Sequence, residues 1–214
     1  LEPALSLLLG ATALDRLRPA LATLLDRLPP FARVFQVGAM LSRPGLALRL
    51  CVGFLTPERV LPTFRALALP RTLSPVEPVL TGLAASAERL VLDLDLAPEG
   101  PLPRLGVEWF GPERHRCDLG PAVQRLLADM VGRRAALAPR CSALADWIGA
   151  VSSGEDPRAF PAPLDVAGRL LRGDAVAHFV RRLSHVKGVV RPEGPLRAKA
   201  YLSADFAWKK LAPP

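Results

Sequence analysis

Aromatic residues are scarce in this chain of 214 residues: Phe, Trp and Tyr together make up 6%, and Tyr201 is the single tyrosine. A protein that holds single-stranded nucleic acid needs aromatic rings along a basic groove, so the scarcity argues against nucleic acid as a partner. Lysine is rarer still beside arginine. Of 28 basic residues, only Lys187, Lys199, Lys209 and Lys210 are lysines. Long apolar runs are missing too. No stretch approaches the ~18 uninterrupted apolar residues of a membrane-spanning helix, so no membrane partner is expected. Residues 4–13 are small and apolar, as in a secretion signal. However, Glu2 stands where a basic residue is needed, and the stretch runs straight into an amphipathic segment, which points to a cytoplasmic protein.

Cys51, Cys117 and Cys141 are odd in number and widely spaced, without zinc-ligand or redox spacing, and read as free thiols in a reducing compartment. His115, His178 and His185 have no metal-ligand spacing among themselves or with the cysteines. Phosphate-binding glycine loops, dinucleotide fingerprints and nucleophile elbows are all absent. No metal and no cofactor is therefore expected.

What is present is a globular composition, 50% apolar and 22% charged, in a length that suits one α+β domain over 1–214. The net charge of +8 favours acidic partners, although an Arg-rich, Ala-, Leu- and Pro-rich chain also reflects GC-rich codons. Leu14, Leu17, Leu21, Leu24, Leu25 and Leu28 form the stripe of an amphipathic helix, which Pro19 should bend or restart and Pro29-Pro30 should end. Two β-rich runs, 32–42 and 46–54, flank Arg43-Pro44-Gly45 and read as a hairpin. A helix follows at 57–67, then one with Ser74 as cap, Pro75 in the first turn and Glu77 at capping-box spacing.

Residues 88–97 alternate, with Leu90, Leu92, Leu94 and Leu96 on one side and Val91, Asp93 and Asp95 on the other. Residues 104–110 complete a second hairpin, placing Arg104, Gly106 and Glu108 opposite Leu105, Val107 and Trp109. Helices are expected at 121–137, opened by Asp118 or Gly120, at 142–148 and at 164–171, with a loop at 151–163. A third hairpin spans 179–190 and 196–206, and its turn resembles that of the second. Three hairpins separated by helices suggest a diverged helix–hairpin repeat; repeated use of good turn residues explains the pattern equally well. Either way, the expectation is an antiparallel sheet of three hairpins with helices on one face.

The other face must then meet water, a partner or a second sheet. Parity puts Asp93, Asp95, Arg104, Glu108, His185, Lys187, Arg197, Lys199, Tyr201 and Arg49 there. In an arginine-biased chain, two lysines in one hairpin beside the only tyrosine suggest a need for a compact ammonium that reaches a carboxylate. Cross-strand ion pairs on a solvated face account for the same residues at about 0.2–1 kcal/mol each. If the face is catalytic, Glu108, Asp93 and His185 are its acid–base candidates.

The segments Val37-Gly38-Ala39-Met40-Leu41-Ser42-Arg43, Pro103-Arg104-Leu105-Gly106-Val107-Glu108, Ser184-His185-Val186-Lys187 and Ala198-Lys199-Ala200-Tyr201-Leu202 together resemble the peptide-binding proteins of crocagin biosynthesis, which serve a ribosomally made, modified peptide. The resemblance runs over most of the chain from about residue 30 and carries over no site residue. It implies a protein that binds a precursor peptide and helps an oxygenase build a pyrroloindoline core.

The two lines meet in one expectation, a peptide-binding accessory protein. An acidic leader would lie along the third hairpin or extend a sheet edge, contacting Arg49, Arg104, His185, Lys187, Arg197, Lys199 and Tyr201. An enzyme acting on a peptide or small molecule, and a scaffold such as a homodimer, are the alternatives.

Overall fold

The computed structural model describes residues 2–40, 45–69, 76–111, 119–153, 160, 162–172, 175–191 and 194–210. Two helices open the chain, α1 (Glu2–Leu9) and α2 (Ala11–Asp26). Of the bend or restart expected at Pro19, the restart does not occur, for α2 runs on through it. Leu14 and Leu17 before it, and Leu21 and Leu24 after it, are all buried, so packing carries the helix across the missing donor.

The first hairpin is β1 (Arg33–Ala39) with β2 (Leu48–Leu55). Gly45 has the positive φ of 85° that its turn position anticipated, while Arg43 and Pro44 lie outside the described residues. Helices α3 (Pro57–Ala66) and α4 (Glu77–Ala84) follow. The expected cap at Ser74 and Pro75 also falls outside the described residues.

The second hairpin is β3 (Arg89–Ala97) with β4 (Gly100–Phe110), and its alternate leucines are buried as the period of two requires. Helix α5 (Pro121–Gly132) opens after Gly120 and ends five residues short of the expected 137. Arg134 there adopts a left-handed φ of 57° and turns the chain into α6 (Ala138–Trp147). Where a plain loop was expected, β5 (Gly149–Ser152) pairs with the third hairpin. Pairing overrides local polarity in so short a strand. Helix α7 (Ala162–Arg172) leads to the long hairpin, β6 (Ala175–Arg191) and β7 (Gly194–Lys210).

All pairings are antiparallel, in the order β1-β2-β3-β4-β6 with β7 beyond. Because β7 runs along almost all of β6, the opposite edge of β6 is shared end to end. There β4 pairs with residues 186–190 and β5 with residues 178–181. Side chains from α1 to α6 and from one face of the sheet form a common apolar core, including Leu50, Leu92, Leu94, Val107, Trp109 and Val186. The architecture is thus the expected α+β arrangement.

An irregularity at Ser184 shifts the β6–β7 register between Leu183↔Leu202 and His185↔Tyr201. Leu183 therefore joins the core face while His185, two residues on, emerges on the other. On the core side of this point, Arg181 lies over the Trp147 ring and Phe206 packs against Phe160.

Leu92 is fully buried at the centre of the sheet. Leu92→Ala is expected to lower the unfolding free energy by about 2–5 kcal/mol, read from urea denaturation.

Candidate functional site

The sheet face opposite the core carries the residues that parity placed there, in cross-strand rows. One row is Val91–Glu108–Lys187–Lys199 across β3, β4, β6 and β7; the next is Asp93–Gly106–Val189–Arg197. Arg49 on β2 opposes Asp95 on β3.

The middle of this face is not the exposed surface that the sequence suggested. Asp93 and Asp95 are each 1% exposed and Lys187 is 5% exposed. The cause is internal pairing. Arg104 lies one step beyond the Leu94↔Leu105 pair, in line with Asp95, and its Nη1 donates to Oδ2 at 2.6 Å. Arg49 donates to the same carboxylate through Nε at 2.8 Å and Nη2 at 3.0 Å. Lys187 pairs with Asp93 Oδ2 and donates to Glu108 Oε1 at 3.2 Å.

Gly106 makes the second of these clusters possible. A Cβ there would stand 2.7 Å from Lys187 Cε and 3.0 Å from Asp93 Cβ. The lysine stem therefore crosses β4 through the space that a side chain would fill.

Three cations and three carboxylates are so joined that the centre of the face is electrically closed. Arg49, Arg104 and Lys187, all candidates for contacting a ligand, are committed to Asp95, Asp93 and Glu108.

Burial shifts the titration of this cluster. Loss of hydration pushes Lys187 down to about 8, with Arg49 and Lys199 adding to the effect. Burial raises Glu108 against the pull of Arg49 and Arg89. His185 is lowered, first by burial and then by Arg89, so its imidazole is neutral at pH 7.

Three rings line up beside the charged rows. His185 stacks on Tyr201 at 4.3 Å between centroids and tilts against Phe110 at 4.8 Å, and Arg89 covers Phe110 at 4.3 Å. Ser184 Oγ lies 3.1 Å from His185 Nδ1, and Glu108 Oε1 lies 3.8 Å from His185 Nε2. Glu108, Asp93 and His185 do converge, but Asp93 is sealed behind the lysine.

Conditions differ at the margin formed by the long hairpin. A cavity of about 530 Å³ is walled in part by Arg104, Arg191, Arg197 and Lys199. Among the described residues, no carboxylate lies within ion-pairing reach of Arg191, Arg197 or Lys199.

β7 is also an edge strand. Among the described residues it pairs with β6 alone, and its Ala198 N–H donates outward to the Ala135 carbonyl at 2.8 Å. Backbone groups alternate between the two edges of a strand, so those of Ala200, Leu202 and Ala204 also point outward. Comparison with protein-family models, curated proteins and solved structures finds no match. The chemistry must therefore be argued from this geometry.

Sequence reasoning missed Gly106 and Arg191. The signal for Gly106 was a glycine inside an otherwise well-formed strand. Arg191 became legible only where it lines one cavity with Pro103 and Arg104 of β4.

Replacing the buried pair as a unit, Lys187→Met with Asp93→Leu, is expected to be neutral or to stabilise by about 1–4 kcal/mol in chemical denaturation, because neither charge then has to lose its hydration on folding. An NMR titration of the lysine ε-carbons should find Lys187 with a midpoint at about 8 and shift it lower in Glu108→Gln, which removes a supporting anion. The folded value lies below the ~10.4 of an unfolded lysine, so the unfolded chain holds the extra proton between them. This group therefore makes stability rise with pH across that window.

Proposed function

We propose that the chain binds an acidic precursor peptide in extended form along β7, as an accessory protein rather than as the catalyst, in making a ribosomally synthesised, modified peptide. The edge of β7, open among the described residues and beside cations that no described carboxylate answers, is the observation that carries this reading. An exposed edge offers a peptide a ladder of backbone hydrogen bonds, and side chains at alternate positions then select its sequence. Arg191, Arg197 and Lys199 offer charge to its carboxylates, and Tyr201 offers a half-exposed ring. A natural edge left so open invites unwanted pairing unless a partner uses it. The resemblance to crocagin-type peptide binders supplies the pathway class, with an oxygenase as the enzyme that acts on the held peptide.

Acid–base catalysis by Glu108, Asp93 and His185 is the second reading. The shifted titration of Glu108 and Lys187 favours it, and the burial of Asp93 weighs against it.

A labelled decapeptide of alternating Glu and Thr serves as the probe, read by fluorescence anisotropy. It should bind, whereas its Lys–Thr counterpart and a version with central prolines should not. Arg197→Glu with Lys199→Glu should weaken binding at least about tenfold, as should raising salt from about 0.05 to about 0.5 M. Affinity that ignores salt and the double substitution would overturn the reading. The peptide mass should stay unchanged after incubation with the protein alone; a change would establish the enzyme instead.

A further inference from the structure

On the other side of β7 lies a second cavity, of about 560 Å³, between that strand and the turn joining α5 to α6. Leu127, Leu144, Val186, Ala198 and Ala200 line it together with Ala135 to Leu137, and the Cys141 thiol is part of its wall. Arg134, Arg140 and Lys199 also line it, with no carboxylate among its lining residues. Large apolar side chains stand exposed around the same strand edge: Leu137 at 62%, Leu202 at 48% and Tyr201 at 39%. A patch of that kind beside an unpaired edge marks a surface built to be covered.

The two sides of β7 thus differ, one with four cations in its wall and the other mainly apolar with three. A strand added to an edge continues the alternation of the sheet, so its successive side chains fall on opposite faces. The chain already supplies the first rung of such a strand. Ala135 accepts the outward N–H of Ala198, at the border of the apolar cavity, and leaves the outward groups of Ala200, Leu202 and Ala204 beyond it.

We infer that the apolar cavity receives large aliphatic side chains of the same bound peptide, so that the recognised sequence alternates acidic and apolar residues. The acidic residues face Arg191, Arg197 and Lys199, and the apolar ones enter between β7 and the α5–α6 turn. This inference rests on the edge-pairing reading and narrows its ligand to an amphipathic strand.

Two decapeptides separate the inference from that reading, one alternating Glu and Ile and the other Glu and Thr. Both carry β-branched residues, so their strand propensity is matched while the apolar burial differs. Glu–Ile should bind at least about tenfold more tightly than Glu–Thr, the order expected for burying aliphatic side chains. It should also slow alkylation of Cys141, mapped by mass spectrometry, at an occupancy where Glu–Thr does not. Ala136→Phe, which fills the cavity, should remove the preference for Ile over Thr. Should that variant fail to fold, the Cys141 protection in the wild-type chain decides the matter alone. Equal affinities, or an alkylation rate indifferent to Glu–Ile, overturn the cavity assignment while the edge reading stands. If neither peptide binds, both fall together.

Discussion

Lys187 reaches Asp93 only because Gly106, on the strand between them, has no side chain. That single gap ties β3, β4 and β6 into one register, since the ammonium also needs Glu108, its direct partner across the strands. A buried ion pair contributes little net stability once the loss of hydration is counted. Its contribution here is alignment. Slipping β6 by one residue would turn Lys187 toward the leucines of the core and place Val186 among carboxylates. The second cluster, with Asp95 between Arg49 and Arg104, fixes β2 against β3 and β4 in the same way.

Because those charges satisfy one another, the functional surface moves outward to the long hairpin. The centre of the face is neutral and closed, whereas the margin holds arginines and a lysine that no described carboxylate answers. The two regions are not independent. Lys199 helps to depress Lys187 in the row between them, so an anion held at the margin would ease the burden on the buried ammonium. The neutral His185, stacked between Phe110 and Tyr201, forms an uncharged border between the two strands of the hairpin and the rest of the sheet.

Much of this was legible in the sequence, for a local reason. The alternation of side chains depends only on strand geometry, so Asp93, Asp95, Arg104, Glu108, His185, Lys187 and Lys199 could be assigned to one face before any pairing was known. Depth could not be read in the same way. Whether Lys187 ends in water or against Asp93 depends on which residue lies between them after three strands align, and that alignment includes irregularities at 53–54, 102–104 and 184. The edge position of β7 was hidden as well, because strand order is a property of the assembled sheet. β5 escaped notice because four residues are too few to show a period. Pro19 does not restart the helix because propensity speaks for an isolated helix, whereas the four buried leucines of α2 answer to the core they join.

The sharing of β6's edge by β4 and β5 has a mechanical consequence. Between residue 181, the last to pair with β5, and residue 186, the first to pair with β4, β6 makes no ladder contact on that side among the described residues. The added residue at Ser184 falls within this interval. Continuity across the seam is carried by the backbone of β6 and its pairing with β7, and His185, stacked on Tyr201, stands inside that interval.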